Sequence, residues 1–157
     1  MNQTVLITGA CINTGVDIVK LFAQKGWNIV FTGRTQRNVC AMQREYEQEF
    51  PNARIYGYTL NSLIDERTVN EEGVEKMFEN LDGQGVTVNA VVLNAADQGL
   101  GIKIFENPLT DFMKVINTNI CWNYCDAWTR IGSGQIQHPH KCCPSRNDHH
   151  ESLGRKS

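Results

Sequence analysis

Residues 8–15, Thr-Gly-Ala-Cys-Ile-Asn-Thr-Gly, follow an apolar run, Thr4-Val5-Leu6-Ile7, and lead straight into a helical pattern. No other short feature constrains the chain so strongly. A strand that turns through glycine into a helix must belong to a sheet along which that helix returns. The helix N-terminus is left with N–H groups that no intrahelical carbonyl can satisfy. Those groups, the positive end of the helix dipole and small residues that admit close backbone approach together make a site for a diphosphate.

The rest of the chain repeats the strand-then-helix pattern. Residues 4–9 read as a buried strand, and Val16, Ile18, Val19, Leu21, Phe22 and Ala23 form a helical stripe from Thr14 to Lys25, ended by Gly26. Residues 27–32 predict a second strand, 36–50 a polar helix stopped at Pro51, and 54–59 a third strand. A polar connection over 60–70 precedes an amphipathic helix from Glu71 to Leu81. Val86 to Leu93 reads as a fourth strand, apolar enough to be covered on both faces; a loop from Asn94 to Pro108 then precedes a helix from Leu109 to about Tyr124. Alternating strands and helices imply right-handed crossovers, hence an α/β domain with a doubly wound parallel sheet, truncated after about four strands.

The chain has 157 residues, enough for one domain with a core, and a formal charge of −2. That charge gives no argument for nucleic acid or an anionic membrane as partner. No apolar run reaches membrane-spanning length and no basic-then-apolar leader opens the chain, so a soluble cytoplasmic protein is expected. Cys11, Cys40, Cys121 and Cys125 lie within ordinary helix and loop patterns and read as free thiols of a reducing compartment.

Three motifs in order resemble the short-chain dehydrogenase/reductase family. Thr8, Gly9 and Gly15 match its opening Thr-Gly-x-x-x-Gly-x-Gly, with Asn13 where the middle glycine stands. Asn tolerates left-handed backbone better than other non-glycine residues, so the turn survives the exchange. Leu93-Asn94-Ala95-Ala96 matches the family's Asn-Asn-Ala-Gly at Asn94 and Ala95, and Val115 to Ile120 matches its Val-x-x-x-Asn-Leu stretch at Asn119. The resemblance covers residues 1–124 and implies a Rossmann-like fold. It also implies a hydride-transferring oxidoreductase that interconverts a small carbonyl and an alcohol with a nicotinamide dinucleotide. Asn94 is expected to join the central strands, Ala95 to pass the adenosine side, and Asn119 to support an active-site lysine through a water. Thr14 lies in the same phosphate turn.

Cofactor choice falls at the end of the second strand. An NAD site places a carboxylate there for the ribose hydroxyls; this chain has Gly33 and then Arg34-Thr35. A guanidinium grips a 2′-phosphate with paired, charge-assisted bonds, so NADP(H) is expected over NAD(H). A plain surface charge is the competing reading of Arg34. By resemblance Asn61 falls where the family receives the adenine amino group.

The family's chemistry also requires a Ser and a Tyr-x-x-x-Lys after the Asn119 helix, and no lysine lies four residues beyond any tyrosine here. After Tyr124 the pattern dissolves into a polar stretch, residues 125–157, that holds all four histidines and Cys142-Cys143. Adjacent cysteines make an awkward zinc site, so no metal is expected. Shifted by one base, codons for Gln137 to Glu151 can read Asn-Ile-Arg-Ile-Asn-Ala-Val-Arg-Pro-Ala-Thr-Ile-Thr-Thr, similar to a family stretch found downstream of that lysine. A deletion followed by an out-of-frame tail accounts for both observations. Residues 1–124 are then an incomplete NADP-binding domain, inactive as written. The alternative is a non-catalytic nucleotide-binding or interaction protein. Relatives commonly pair through the helices around and after Asn119, which leaves a homo-oligomer open.

Overall fold

The computed structural model describes residues 2–65, 68–99, 101–102, 106–123 and 128. Four parallel strands, β1 (Thr4–Ile7), β2 (Asn28–Gly33), β3 (Ile55–Thr59) and β4 (Ala90–Val92), form one sheet in the order β3-β2-β1-β4. Val5 lies opposite Ile29 on one side and Ala90 on the other. The chain runs outward from β1 through helices α1 (Thr14–Gln24) and α2 (Gln36–Glu49), then returns through α3 (Glu71–Gly83) to place β4 on β1's free side. That reversal makes the carboxyl ends of β1 and β4 the switch point of the sheet, the place where open α/β sheets take ligands.

Successive strand residues point to opposite faces, and the core divides accordingly. Val5, Ile7, Ile29 and Phe31 meet Val19 and Ala23 of α1 and Val39 and Tyr46 of α2. Leu6 and Val30 meet Val74, Met77, Phe78 and Leu81 of α3 on the other side. Local chemistry sets the helix starts. Thr35 caps α2 by accepting from the Asn38 N–H at 3.3 Å, and Asn70 caps α3 by accepting from the Gly73 N–H at 3.0 Å.

Two elements depart from expectation. The fourth strand is three residues long, not eight, because β1 offers a partner only from Thr4 to Ile7. Val86 and Val88, ahead of that pairing, are buried by α3-side packing instead. The final helix, α4, ends at Ile116 and widens into a π-helical turn over Asn117–Cys121, closed by the Trp122 N–H on the Asn117 carbonyl at 2.8 Å. Tyr124, the four histidines and Cys142-Cys143 lie outside the described residues. Trp128, within the stretch where the sequence pattern dissolves, is buried. Its ring meets those of Trp122 (4.9 Å, 90°) and Phe78 (6.3 Å, 74°), and its Nε1 donates to the Trp122 carbonyl at 2.9 Å. Among the described residues no helix is long and apolar enough to cross a membrane, and Cys11, Cys40 and Cys121 are free thiols.

Candidate functional site: the glycine turn at the head of the sheet

The strand ends bring the motif residues together through one polar knot. Thr8 is fully buried, and its Oγ1 accepts from the backbone N–H groups of Asn94 (2.9 Å) and Ala95 (3.0 Å). In return Asn94 Nδ2 donates to the carbonyls of Thr8 (3.1 Å) and Gly9 (3.2 Å). Four bonds thus lock the exit of β1 to the exit of β4, with Asn94 joining the two strands.

Close approach then decides which residues fit. Gly9 has φ +66°, and a Cβ there would lie 2.9 Å from the Ala95 Cα. A Cβ on Gly15 would lie 2.5 Å from the Gly9 carbonyl oxygen and 2.7 Å from the Ala10 Cα. Only glycine lets α1 start this close beneath the turn. Asn13 caps α1 with φ 50°, as expected of its position, but its ψ of −138° lies outside the left-handed helical basin that Asn tolerates. It carries strain that glycine would not. Asn13 makes no side-chain cap bond, so the first amides of α1 receive no side-chain acceptor from it. Ile12, Asn13 and Thr14 are exposed.

Two further residues hold the turn that the motif did not point to. The Gly9 N–H donates to Thr32 Oγ1 at 3.2 Å and the Ala10 N–H to the Thr32 carbonyl at 2.9 Å. Tyr46 reaches across from α2 to donate its hydroxyl to the Ala10 carbonyl at 2.8 Å. Burial pushes the Tyr46 hydroxyl well above the ordinary tyrosine range, so it stays a donor. Cys11 lies over Gly33, where a Cβ would collide with its Sγ, and burial raises its thiol. The sequence signal for Thr32 is a polar residue inside an apolar strand; Tyr46, in a polar helix, gave none.

Arg34 and Thr35 follow β2 directly and are exposed. Thr35 spends an acceptor on the α2 cap and keeps a hydroxyl proton to donate. Asn61, exposed just beyond β3, accepts on its carbonyl from Asn70 Nδ2 at 2.9 Å, which draws the 60–70 connection closed. Asn119 holds the Asp97 backbone with both ends of its amide, accepting from the N–H at 2.7 Å and donating to the carbonyl at 2.8 Å. The π-helical turn is thereby tied to the loop after β4. Thr8, Gly9, Gly15, Asn94 and Ala95 therefore come together, whereas Arg34 and Asn61 lie beyond the ends of β2 and β3, and Asn119 lies in the π-helical turn tied to the loop after β4.

Known proteins resemble this chain in sequence and fold. The chain is 29% identical over 125 residues to sulfoacetaldehyde reductase 2 of Chromohalobacter salexigens, an alignment covering 76% of this chain and 44% of the relative. It is 27% identical over 122 residues to serine 3-dehydrogenase of Rhizobium radiobacter, with the same coverage. The chain spans about half the length of the curated relatives it matches. The solved structure of ElxO with NADP bound superposes with a TM-score of 0.67 at 25% identity, over 82% of this chain and 49% of that one. L-sorbose reductase from Gluconobacter frateurii, complexed with NADPH and L-sorbose, gives a TM-score of 0.63 at 21% identity, over 78% and 44%. The short chain dehydrogenase family model matches residues 3–122, a span that begins ahead of β1 and ends just past the π-helical turn. By that match, and by the knotted glycine turn on its parallel sheet, the chain belongs to the short-chain dehydrogenase family.

Proposed function

We propose that residues 1–124 are the nucleotide-binding part of an oxidoreductase that uses NADP(H) in preference to NAD(H) on small carbonyl or alcohol substrates. The observation that carries this reading is the turn itself. Glycines that no Cβ could replace bring backbone against a helix start whose amides lack a side-chain cap, which fits a diphosphate. The backbone of Gly9, Asn13, Thr14 and Gly15 would cradle the phosphates, with Thr8 holding the turn in shape. Arg34 and Thr35 would take a 2′-phosphate, Asn61 would border the adenine, and Asn94 and Ala95 would wall the adenosine side. Asn119 would hold the loop after β4 rather than touch the nucleotide. Bound there, a nicotinamide dinucleotide supplies or accepts a hydride at C4 of its ring.

Positioned acid–base catalysis contributes about 10²–10⁴-fold in such enzymes. In this sequence no tyrosine has a lysine four residues on, and the Asn119 amide is already bonded and poorly suited to proton transfer. Residues 1–124 are therefore read as a nucleotide-binding part, and the carbonyl chemistry is proposed for the whole protein.

Fluorescence titration tests the reading. NADPH should bind more tightly than NADH, and Arg34→Asp should reverse the order by setting a carboxylate against the 2′-phosphate. Equal affinities would reduce Arg34 to a surface charge. No NADPH oxidation is expected with a panel of ketones and aldehydes; turnover abolished by Arg34→Asp would overturn the non-catalytic assignment.

A further inference from the structure

The Ala10 backbone is held by two hydrogen bonds. Its N–H donates to the Thr32 carbonyl at 2.9 Å and its carbonyl accepts from the Tyr46 hydroxyl at 2.8 Å, and its Cα leaves no room for a Cβ on Gly15. A trans peptide is planar, so pinning the Ala10 carbonyl toward Tyr46 directs the Cys11 N–H the opposite way. Tyr46 and Ala10 are both fully buried, and no other bond to this carbonyl is present among the described residues. The Tyr46 ring is fixed in turn by an edge contact with Phe31 at 5.3 Å and 87°. Tyr46 belongs to α2, the helix capped by Thr35 next to Arg34.

We propose that the Tyr46 hydroxyl is a positioning group of the nucleotide site: by holding the Ala10 carbonyl, it makes α2 set the shape of the diphosphate turn as well as the corner that carries Arg34. This rests on the dinucleotide reading above. The turn is common to NADPH and NADH, whereas Arg34 addresses only the 2′-phosphate. The two residues therefore leave different signatures. Loss of the Tyr46 hydroxyl weakens both nucleotides by the same factor and leaves their ratio unchanged; loss of Arg34 changes the ratio.

The test uses the full chain, Tyr46→Phe and Arg34→Ala, titrated with NADPH and with NADH well below the melting transition, alongside amide hydrogen exchange. Tyr46→Phe keeps the ring and strands one buried acceptor, so about tenfold weaker binding of both nucleotides is expected. Exchange should quicken in residues 8–16 and stay unchanged in α3. Parent-like affinity in Tyr46→Phe overturns the proposal, as does faster exchange spread evenly over the sheet, which marks general destabilisation. If the unaltered chain binds neither nucleotide, the dinucleotide reading fails, and the exchange pattern still decides whether Tyr46 holds the turn. Should Tyr46→Phe not fold, NMR of the unaltered chain replaces it. NADPH should slow exchange of the Tyr46 hydroxyl proton, and an unchanged rate overturns the proposal.

Discussion

The two faces of the sheet are built from the same kinds of residue and finished very differently. On one, α1 and α2 are crossover helices held at both ends by strands, and Val5, Ile7, Val19, Ile29, Phe31 and Tyr46 are sealed from solvent. On the other, α3 inserts a comparable set, but α4 buries none of its residues. Leu109, Met113, Ile116 and Ile120, spaced as the inward stripe of an amphipathic helix, face solvent, with Leu109 73% exposed. No described strand follows α4, and its C-terminal anchor is the clasp of Asn119 on Asp97. Trp122 and Trp128 cover the neighbouring core, and the Trp122 Nε1 is buried without a partner among the described residues. Apolar patterning alone does not bury a helix. A helix is buried when the chain pins both of its ends to the sheet.

Gly15→Ala should have the largest effect, because the new methyl meets backbone of Gly9 and Ala10 that cannot move away without breaking the Thr8–Asn94 knot. We expect a loss of about 3 kcal/mol or more in chemical denaturation, with nucleotide binding abolished. The contrast between faces is sharpened by a matched pair. Ile7→Ala opens the sealed face and should cost about 3 kcal/mol, whereas Ile116→Ala on α4 should stay within about 0.5 kcal/mol. Equal costs would show that α4 is packed in solution.

Asn13→Gly relieves the φ 50°, ψ −138° backbone and gives up no cap bond, so a gain of about 1 kcal/mol is expected from thermal melting, with nucleotide binding retained. The smallest effect is one of pH. Burial raises the Tyr46 pKa above its unfolded value, so the folded state holds the neutral phenol. Its contribution is intact below about pH 10, where unfolded tyrosine is still protonated, and declines above that as only the unfolded chain ionises. Tyr46→Phe should flatten the alkaline slope of stability measured by denaturant titration.

Much of the glycine turn was legible in advance. Thr8, Gly9, Gly15, Asn94 and Ala95 were marked by motif, and the structure brings them into contact. Tyr46 and Thr32 were not, because their partners lie 36 and 23 residues away and no local pattern announces a bond of that range. The π-helical turn was missed for a related reason. Helical spacing runs through Asn117–Cys121 without a break, and its widened turn coincides with the Asn119–Asp97 clasp, 22 residues apart.

By itself, the sequence determined what a few neighbouring residues can decide: where strands and helices begin, which ends are capped, and where only glycine can turn. Those outcomes follow from side-chain period and backbone sterics, which act over one or two turns of chain. The tertiary structure alone decided how long β4 could be, since a strand extends only as far as its partner. It also left the apolar stripe of α4 in solvent, and set a tyrosine of α2 against the glycine turn. Each of these depends on what the topology sets opposite a residue, and no residue carries that information in its own neighbourhood.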